Sequence, residues 1–180
     1  MAAWLIRAML DTEGTDRHVR SIRDPMSAAR FPGHRDRAGF DFGPSKVDEP
    51  LIGQLATTDF TDSAANVVCV GGTGTGKTHW VTARGIQAIT PHSKRVRVFS
   101  TVEWANPLQR EKAAGKPGKR ACRLMPVDRV ILDELGDWPF SQTGGALRLH
   151  LLSQLYERTS VIVTTNLTFA ECRRCAATRR

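Results

Sequence analysis

Short apolar runs alternate with longer amphipathic stretches from Val47 onward. The first run suits a strand buried on both faces, and four runs are predicted strands: NVVCV (66–70), RVRVFS (95–100), RVILDE (129–134) and SVIVTT (160–165). Helices are predicted from Thr78 to about Ile89, from Val102 onward, and from about Gly145 to Arg158. The last helix has an apolar face formed by Leu149, Leu152, Leu155 and Tyr156. This alternation predicts an α/β fold in which helices cover a mainly parallel sheet.

The first 45 residues lack this alternation, because they are polar and repeatedly interrupted by glycine and proline. We interpret residues 1–45 as a basic, loosely packed lead-in with one or two short helices, and residues 46–180 as the α/β core. The two aromatic residues of the FDF segment, Phe40 and Phe42, are expected to anchor the lead-in to that core.

Composition fits one globular domain, since 41% of the 180 residues are hydrophobic. The net charge of +8 favours an anionic partner, with nucleic acid first and an acidic protein second; a charge that only aids solubility is the alternative. No apolar run approaches the roughly 18 residues of a membrane span, so no membrane partner is expected. Four scattered cysteines predict a reduced, cytoplasmic chain. The Cys172–Cys175 pair has no second pair at zinc-site spacing, which leaves its role open.

The stretch GGTGTGKT has the spacing of a phosphate-binding P-loop and lies between a predicted strand and a predicted helix. Its glycines let the backbone curl so that N–H groups point at phosphate oxygens, and the helix start adds a positive field. Lys77 would reach the β- and γ-phosphates of ATP, and Thr78 would offer its hydroxyl to Mg²⁺. The predicted nucleotide-binding residues are Gly71, Gly72, Thr73, Gly74, Thr75, Gly76, Lys77 and Thr78.

Three polar residues follow later strands. Asp133 and Glu134 end the third strand, where Asp133 would hold Mg²⁺ through water and Glu134 would act as general base; two acids that merely begin a loop are the alternative. Asn166 ends the fourth strand, where it would orient the water or contact the γ-phosphate, or instead cap a helix ahead of Thr168. Because parallel strand ends gather at one edge, Gly71, Asp133 and Asn166 should meet in one crevice.

Six stretches of the chain form a characteristic set: GGTGTGKTH, FSTVE, VILDELG, PFSQTGGAL, LYERTSVIVTTNL and SAARFPGHRDRAGFDF. Together they resemble IstB-type proteins, the ATP-binding helpers of a class of bacterial transposases, which are related to DnaC-type helicase loaders. The resemblance implies an AAA+ P-loop NTPase fold, a three-layer sandwich, with ATP and Mg²⁺ bound. It also implies double-stranded DNA as a ligand, a homo-oligomer on that DNA, and a transposase partner. Residues 71–78 are then Walker A, Asp133 and Glu134 belong to Walker B, and Asn166 is sensor 1.

After Phe169 the chain departs from the family pattern and reads AECRRCAATRR. The family continues through a fifth core strand and a helical lid, which carry the arginine finger and the second sensor arginine. We therefore expect a core that lacks the last strand and the lid, with NVVCV at an apolar sheet edge. Hydrolysis of ATP is expected to be weak or absent, because an arginine finger contributes about 10³ to 10⁵ in rate.

Larger or charged residues stand where the family usually has smaller apolar ones: Trp80, Arg84, Trp104, Arg129, Trp138 and Arg148. Arg84 lies on the helix stripe that should face the sheet. A charge buried there without a partner would cost several kcal/mol, unless the side chain snorkels into solvent or stacks on Trp80.

The basic segment 110–123 is the strongest candidate for a DNA-contacting loop, with a solvated connector as the alternative. Three other functions remain open from the sequence. They are a DnaC-like helicase loader, a small-molecule P-loop kinase, and a non-enzymatic remnant that binds nucleotide or DNA without turnover.

Overall fold

The computed structural model of the chain describes residues 19–32, 49–55, 59–100, 119–134 and 151–167, with isolated positions at 13, 57, 103, 107, 110, 111 and 113–115. Within the continuous described ranges, the helices are α1 (residues 19–29), α2 (Glu49–Gln54), α3 (Asp59–Asp62), α4 (Lys77–Ile89), α5 (Lys119–Leu124) and α6 (residues 151–155). Its strands are β1 (Val67–Val70), β2 (Val96–Ser100), β3 (Arg129–Asp133) and β4 (Ser160–Thr165). No helix in these described ranges is long and apolar enough to cross a membrane.

The four described strands form one parallel sheet in the order β1-β4-β3-β2. The pairing between β1 and β4 runs from Val67 opposite Ile162 to Val70 opposite Thr165. The pairing between β2 and β3 ends with Ser100 opposite Asp133. The predicted α/β fold with a parallel sheet is confirmed, and the carboxyl ends of all four strands lie at the same edge.

Each face of the sheet has its own apolar core, because side chains of a strand alternate between faces. Along β3, Val130 and Leu132 join one core cluster with α6, whereas Ile131 joins the other with α4. The cluster on the α6 face comprises Leu124, Val127, Val130, Leu132, Leu151, Leu155, Val161 and Val163. The cluster on the α4 face comprises Ala29, Ile52, Trp80, Val81, Ala88, Ile89, Val96, Val98, Ile131 and Ile162. The result is three layers, with helices on both sides of the sheet.

Strand β1 lies at an edge of the described sheet, as the sequence predicted. The expectation that this strand is buried on both faces is wrong. Val67 and Cys69 pack against the α4-face cluster, but Val68 and Val70 on the other face are 56% and 37% exposed. By contrast, every residue of β3 and β4 is buried, because both strands have a neighbour on each side.

Helix α6 ends at Leu155, three residues earlier than predicted, and the chain then turns through residues 156–158. Leu151 and Leu155, one turn apart, are the buried pair, and Leu152 is half-buried. Tyr156, which the sequence placed on the same apolar face, is 60% exposed because it lies beyond the last helical residue. Leu149 lies outside the described residues.

Helix α1 packs on the α4 face of the sheet. Ala29 is completely buried, and Met26 and Phe31 pack against the same cluster. The ring of Phe31 lies so close to Gly85 that a Cβ atom there would come within 2.5 Å of it. The expected FDF anchor, Phe40 and Phe42, lies outside the described residues, and the boundary between residues 45 and 46 stays a prediction.

Two arginine side chains are buried between α3, α4 and the start of β3. Arg84 and Arg129 are 2% and 1% exposed, so the expectation that Arg84 might reach solvent is wrong. Arg129 donates hydrogen bonds to Thr61 Oγ1, from Nε at 3.0 Å and from Nη2, and to the Arg84 carbonyl oxygen at 2.9 Å. Its guanidinium lies 4.4 Å from the centre of the Phe60 ring. Burial and the positive charge of Arg84 together lower the pKa of Arg129 to about 10, against the opposing effect of the Asp62 charge.

Candidate nucleotide-binding site

The glycine-rich loop joins the carboxyl end of β1 to the first turn of α4. Gly74 and Gly76 have φ angles of 79° and 81°, a left-handed conformation that glycine adopts without steric cost. Gly71 N donates a hydrogen bond to the carbonyl oxygen of Thr165, at 3.3 Å, so the loop begins beside the end of β4. The loop therefore lies between a strand and a helix, as the sequence predicted; its role in phosphate binding stays a prediction.

The ammonium group of Lys77 lies over the loop rather than pointing into solvent. Its Nζ donates to the carbonyl oxygens of Gly71 and Gly72, both at 2.7 Å, and to Thr75 Oγ1 at 3.3 Å. Thr75 Oγ1 in turn donates to the Gly72 carbonyl at 2.9 Å. Lysine carries three donors and a flexible stem, so this ammonium can exchange carbonyl acceptors for phosphate oxygens by a small movement.

The hydroxyl of Thr78, in the first turn of α4, faces the carboxylate at the end of β3. Thr78 Oγ1 donates to Asp133 Oδ1 at 3.2 Å, across 55 residues of sequence. Asp133 is buried, since it lies under the loop and between β2 and the end of β4. A hydroxyl oxygen and a carboxylate oxygen next to a phosphate loop are hard ligands of the kind that Mg²⁺ prefers.

Glu134 follows Asp133 immediately but has a different environment. Its side chain is exposed, and its backbone adopts a left-handed φ of 60°, which is uncommon for a residue with a Cβ atom. Its N–H donates to Thr164 Oγ1 at 2.8 Å. The Thr164 hydroxyl itself donates to Asp133 Oδ1. The sequence interpretation did not single out Thr164, although a hydroxyl residue near the end of the adjacent parallel strand was the signal that could have found it.

Asn166 lies directly beyond β4 and is half-buried. It follows Thr165, whose carbonyl accepts the hydrogen bond from Gly71 N. The structure therefore brings the ends of β1, β3 and β4 to one edge, where the loop, Thr78, Asp133, Glu134 and the Asn166 backbone all lie. Thr168, on which the alternative role of a helix cap depends, is outside the described residues.

The chain matches the family of IstB-like ATP binding proteins over residues 2–176, almost its full length. It belongs to that family. It is 29% identical over 163 residues to the candidate ATP-binding protein of insertion sequence IS21 from Pseudomonas aeruginosa, covering 90% of this chain and 61% of that protein. It is 27% identical over 164 residues to the counterpart in insertion sequence IS5376 from Geobacillus stearothermophilus, covering 91% of this chain and 65% of that protein. This IstB-like chain thus spans 61–65% of the length of these two relatives.

Solved structures with the same fold include the DnaC helicase loader, with a TM-score of 0.56 and 21% identity, covering 71% of this chain and 73% of that one. AMPPCP-bound DnaA from Aquifex aeolicus has a TM-score of 0.58 and 16% identity, covering 82% and 49%. A DnaA bound to AMPPCP and single-stranded DNA has a TM-score of 0.53 and 18% identity, covering 73% and 45%. The fold of the IstB-like chain is therefore the α/β fold of the DnaC and DnaA AAA+ domains.

Cys69 of the IstB-like chain lies on β1, two residues before the loop. Burial raises the pKa of its thiol to about 11; the Lys77 charge acts in the opposite direction and the Asp133 charge reinforces the rise. The thiol is therefore neutral at ordinary pH. It serves as a small apolar side chain packed against the α4-face cluster.

The basic segment 110–123 is not a loop throughout, which corrects part of the sequence interpretation. Helix α5 (Lys119–Leu124) forms its carboxyl end, and Leu124 is buried in the α6-face cluster. The exposed residues of the described part include Arg110 and Arg123.

Proposed function

We propose that this IstB-like chain binds ATP together with Mg²⁺ at the loop of residues 71–78, and that nucleotide binding is coupled to DNA and to a transposase. The observation that carries the proposal is the contact of 3.2 Å between Thr78 Oγ1 and Asp133 Oδ1 directly beneath the loop. Family membership supports ATP as the nucleotide.

The loop would hold the phosphates through its backbone N–H groups, the amino end of α4 and the Lys77 ammonium. Its residues would be Gly71, Gly72, Thr73, Gly74, Thr75, Gly76, Lys77 and Thr78. The three hydrogen bonds that hold Lys77 over the loop support this role, because they keep its charge beside the loop backbone. An ammonium that is already oriented loses less conformational entropy when the nucleotide binds.

Thr78 and Asp133 fit Mg²⁺ because both offer hard oxygen atoms and because Asp133 is buried close to the phosphate loop. Phosphate oxygens and water would supply the remaining ligands. The metal ion, when bound, would neutralise charge on the β- and γ-phosphates.

Glu134 and Asn166 are the proposed catalytic residues. Glu134 would accept a proton from the attacking water, and Asn166 would orient that water or contact the γ-phosphate. Slow turnover is proposed for this chain alone, since the proposed catalytic residues do not include an arginine finger, which contributes about 10³ to 10⁵ in rate. A nucleotide-binding protein without turnover is the alternative, and the exposure of Glu134 to solvent favours it.

The DNA and transposase partners rest on different support. The net charge of +8 favours a polyanion, and relatives of the chain are proteins of insertion sequences. The fold is shared with a DnaA bound to single-stranded DNA and with the DnaC helicase loader. Double-stranded DNA is the proposed ligand, with oligomerisation on it and a transposase as the protein partner. Pull-downs with a transposase and with a replicative helicase would separate this function from that of a DnaC-like loader.

The test is equilibrium binding of a fluorescent ATP analogue with Mg²⁺. Lys77→Ala should weaken binding about 10- to 100-fold, because it removes a charge-assisted contact to phosphate. Lys94→Ala is the matched control: Lys94 pairs with Asp62 near the amino ends of the strands, and its removal should change the affinity less than about twofold. Equal binding by the unmutated chain and Lys77→Ala would contradict the proposal.

A further inference from the structure

The side-chain hydroxyl of Thr164 lies between the two acidic residues of the proposed site. Thr164 Oγ1 accepts a hydrogen bond from Glu134 N at 2.8 Å and donates one to Asp133 Oδ1. A hydroxyl has one proton and two lone pairs, so it can make both bonds at once with a defined direction. One oxygen atom of β4 therefore contacts both residues at the end of β3.

The ladder between β3 and β4 explains why a side chain is needed at this point. Their residue pairing ends with Leu132 opposite Val163, so the ladder does not extend to Glu134. Glu134 has left the strand in a left-handed conformation with φ 60°. The Thr164 hydroxyl supplies the acceptor for the Glu134 N–H and stabilises a backbone conformation that is unfavourable in a residue with a Cβ atom.

Thr164 is also rigid. It is 1% exposed and lies on β4, which is held by β1 on one side and by β3 on the other. A β-branched side chain in a strand has restricted rotation about χ1. The position of its hydroxyl is therefore determined by the sheet and not by the loop.

The carboxylate of Asp133 is oriented by two hydroxyl groups that reach the same oxygen. Thr78 Oγ1 approaches Oδ1 from α4 at 3.2 Å, and Thr164 Oγ1 approaches it from β4. Because a carboxylate is planar, two donors on Oδ1 fix the direction of Oδ2 as well. If Thr78 offered its hydroxyl oxygen to a metal ion, Thr164 would still hold the carboxylate.

We propose that Thr164 is a positioning residue that sets the orientation of the Asp133 carboxylate for Mg²⁺ and the backbone conformation of Glu134. The proposal rests on the proposed Mg-ATP function. A single hydroxyl group, that of Thr164, would then couple the proposed metal ligand Asp133 to the proposed general base Glu134. Groups that orient a metal ligand typically change metal affinity about 10- to 100-fold when removed.

The experiment compares nucleotide binding in the presence and absence of Mg²⁺ in the full chain. Thr164→Val keeps the shape and removes the hydroxyl, so the Mg²⁺ concentration that gives half of the metal-dependent increase in affinity should rise about tenfold or more. Affinity without Mg²⁺ should stay within about twofold, because the loop contacts are untouched. Thr164→Ser, which retains the hydroxyl, should behave like the unmutated chain.

Thr165→Val is the matched control. Thr165 is the next residue, is also buried, and points to the opposite face of the sheet, where its Oγ1 accepts only a local hydrogen bond from Leu167 N at 3.1 Å. It should leave the Mg²⁺ dependence unchanged. Thr164→Ala, which also lacks the hydroxyl, replaces Thr164→Val if valine prevents folding, as judged by thermal unfolding.

A merely structural role for Thr164 would lower affinity with and without Mg²⁺ together, and that result would overturn the proposal. So would an unchanged Mg²⁺ dependence in Thr164→Val, or an equal shift in Thr164→Ser.

Amide hydrogen exchange separates this proposal from the nucleotide function. The Glu134 amide should exchange at least about tenfold faster in Thr164→Val than in Thr165→Val, because it loses its acceptor. Unchanged exchange would overturn the proposal even if nucleotide binds. Failure of the unmutated chain to bind any nucleotide would overturn the proposed function, and the exchange rate would then decide alone whether Thr164 holds Glu134.

Discussion

Strand β3 has a buried ionisable side chain at each end, and the two ends accommodate it differently. At the carboxyl end, Asp133 receives hydroxyl hydrogen bonds from Thr78 and Thr164 beside a glycine-rich loop. At the amino end, Arg129 is enclosed by Thr61, Phe60 and the carbonyl of a second buried arginine, Arg84. The first environment is the one at which we propose that a cation binds between the carboxylate and nucleotide phosphates. The second brings two positive charges together inside the protein.

The difference shows that a buried charge is informative only together with its surroundings. Desolvation penalises a charge wherever it is buried, and a ligand of opposite charge can offset that penalty only if it can approach. At the Asp133 end, the proposed ligand of opposite charge is Mg²⁺. At the Arg129 end, the desolvation of the guanidinium and its repulsion from Arg84 destabilise the folded state, as the lowered pKa of Arg129 indicates.

The largest effect is expected at the amino end. Arg129→Met should raise the free energy of unfolding by about 1–4 kcal/mol, because a well-packed apolar side chain avoids the desolvation of a buried guanidinium and its repulsion from Arg84. Urea denaturation at neutral pH measures this change. Arg95→Met is the matched control, since Arg95 is exposed and pairs with Asp128 at 3.3 Å; it should change stability by less than about 1 kcal/mol. Loss of stability in Arg129→Met would show that the guanidinium stabilises the fold.

A smaller effect, on function and not on stability, is expected at the carboxyl end. Asp133→Asn keeps an acceptor for the Thr78 and Thr164 hydroxyls but removes the negative charge. The Mg²⁺-dependent increase in nucleotide affinity should fall about tenfold, while the free energy of unfolding changes by less than about 1 kcal/mol. Titration with Mg²⁺ and a fluorescent ATP analogue, beside urea denaturation, measures both. If Asp133→Asn instead greatly lowered the free energy of unfolding and left the Mg²⁺ dependence unchanged, Asp133 would have a structural role and not a metal-binding one.

The smallest effect concerns the carboxylate next to Arg129. Burial alone would raise the pKa of Asp128, but hydrogen bonds from the Arg95 backbone and side chain, with the charges of Arg95 and Lys94, lower it overall. A carboxyl whose pKa is lower in the folded state stabilises the protein above its unfolded pKa, near 3.8, and loses that contribution as the pH falls through the folded value. Asp128→Asn should therefore lower the urea midpoint slightly at about pH 6, and the difference should vanish in stronger acid. A difference that persists in acid would assign the effect to hydrogen bonding alone.

The sequence predicted the parallel sheet and the P-loop because both depend on local patterns. Apolar runs such as SVIVTT specify strands, and the spacing of Gly71, Gly76, Lys77 and Thr78 specifies a loop whose geometry is mostly backbone. The exposed face of β1 was not predictable from VVCV alone, since an apolar run does not show how many neighbours its strand has. Tyr156 was wrongly predicted to lie on the apolar helix face, because it has the spacing of that face but the helix ends at Leu155, one residue earlier.

The site was predictable only as far as its residues belong to a motif. Asp133 and Glu134 stood out as adjacent acids after an apolar strand, but their different exposure depends on the left-handed turn at Glu134. Thr164 was missed because its contact with Asp133 depends on strand register, which the sequence does not display. The burial of Arg84 and Arg129 together depends on the packing of α3 and α4 against the sheet.

Strand β1 links two properties that are usually considered separately. It leads directly into the phosphate loop, and among the described strands it is paired on one side only, through four residues of β4. Local opening of a sheet begins where the fewest contacts must be broken, so β1 can detach while β3 and β4 remain paired. If a nucleotide binds at this loop as proposed, and only the closed form presents an intact loop, the bound nucleotide would shift this equilibrium toward pairing. Nucleotide affinity would then measure how completely the edge of the sheet is formed.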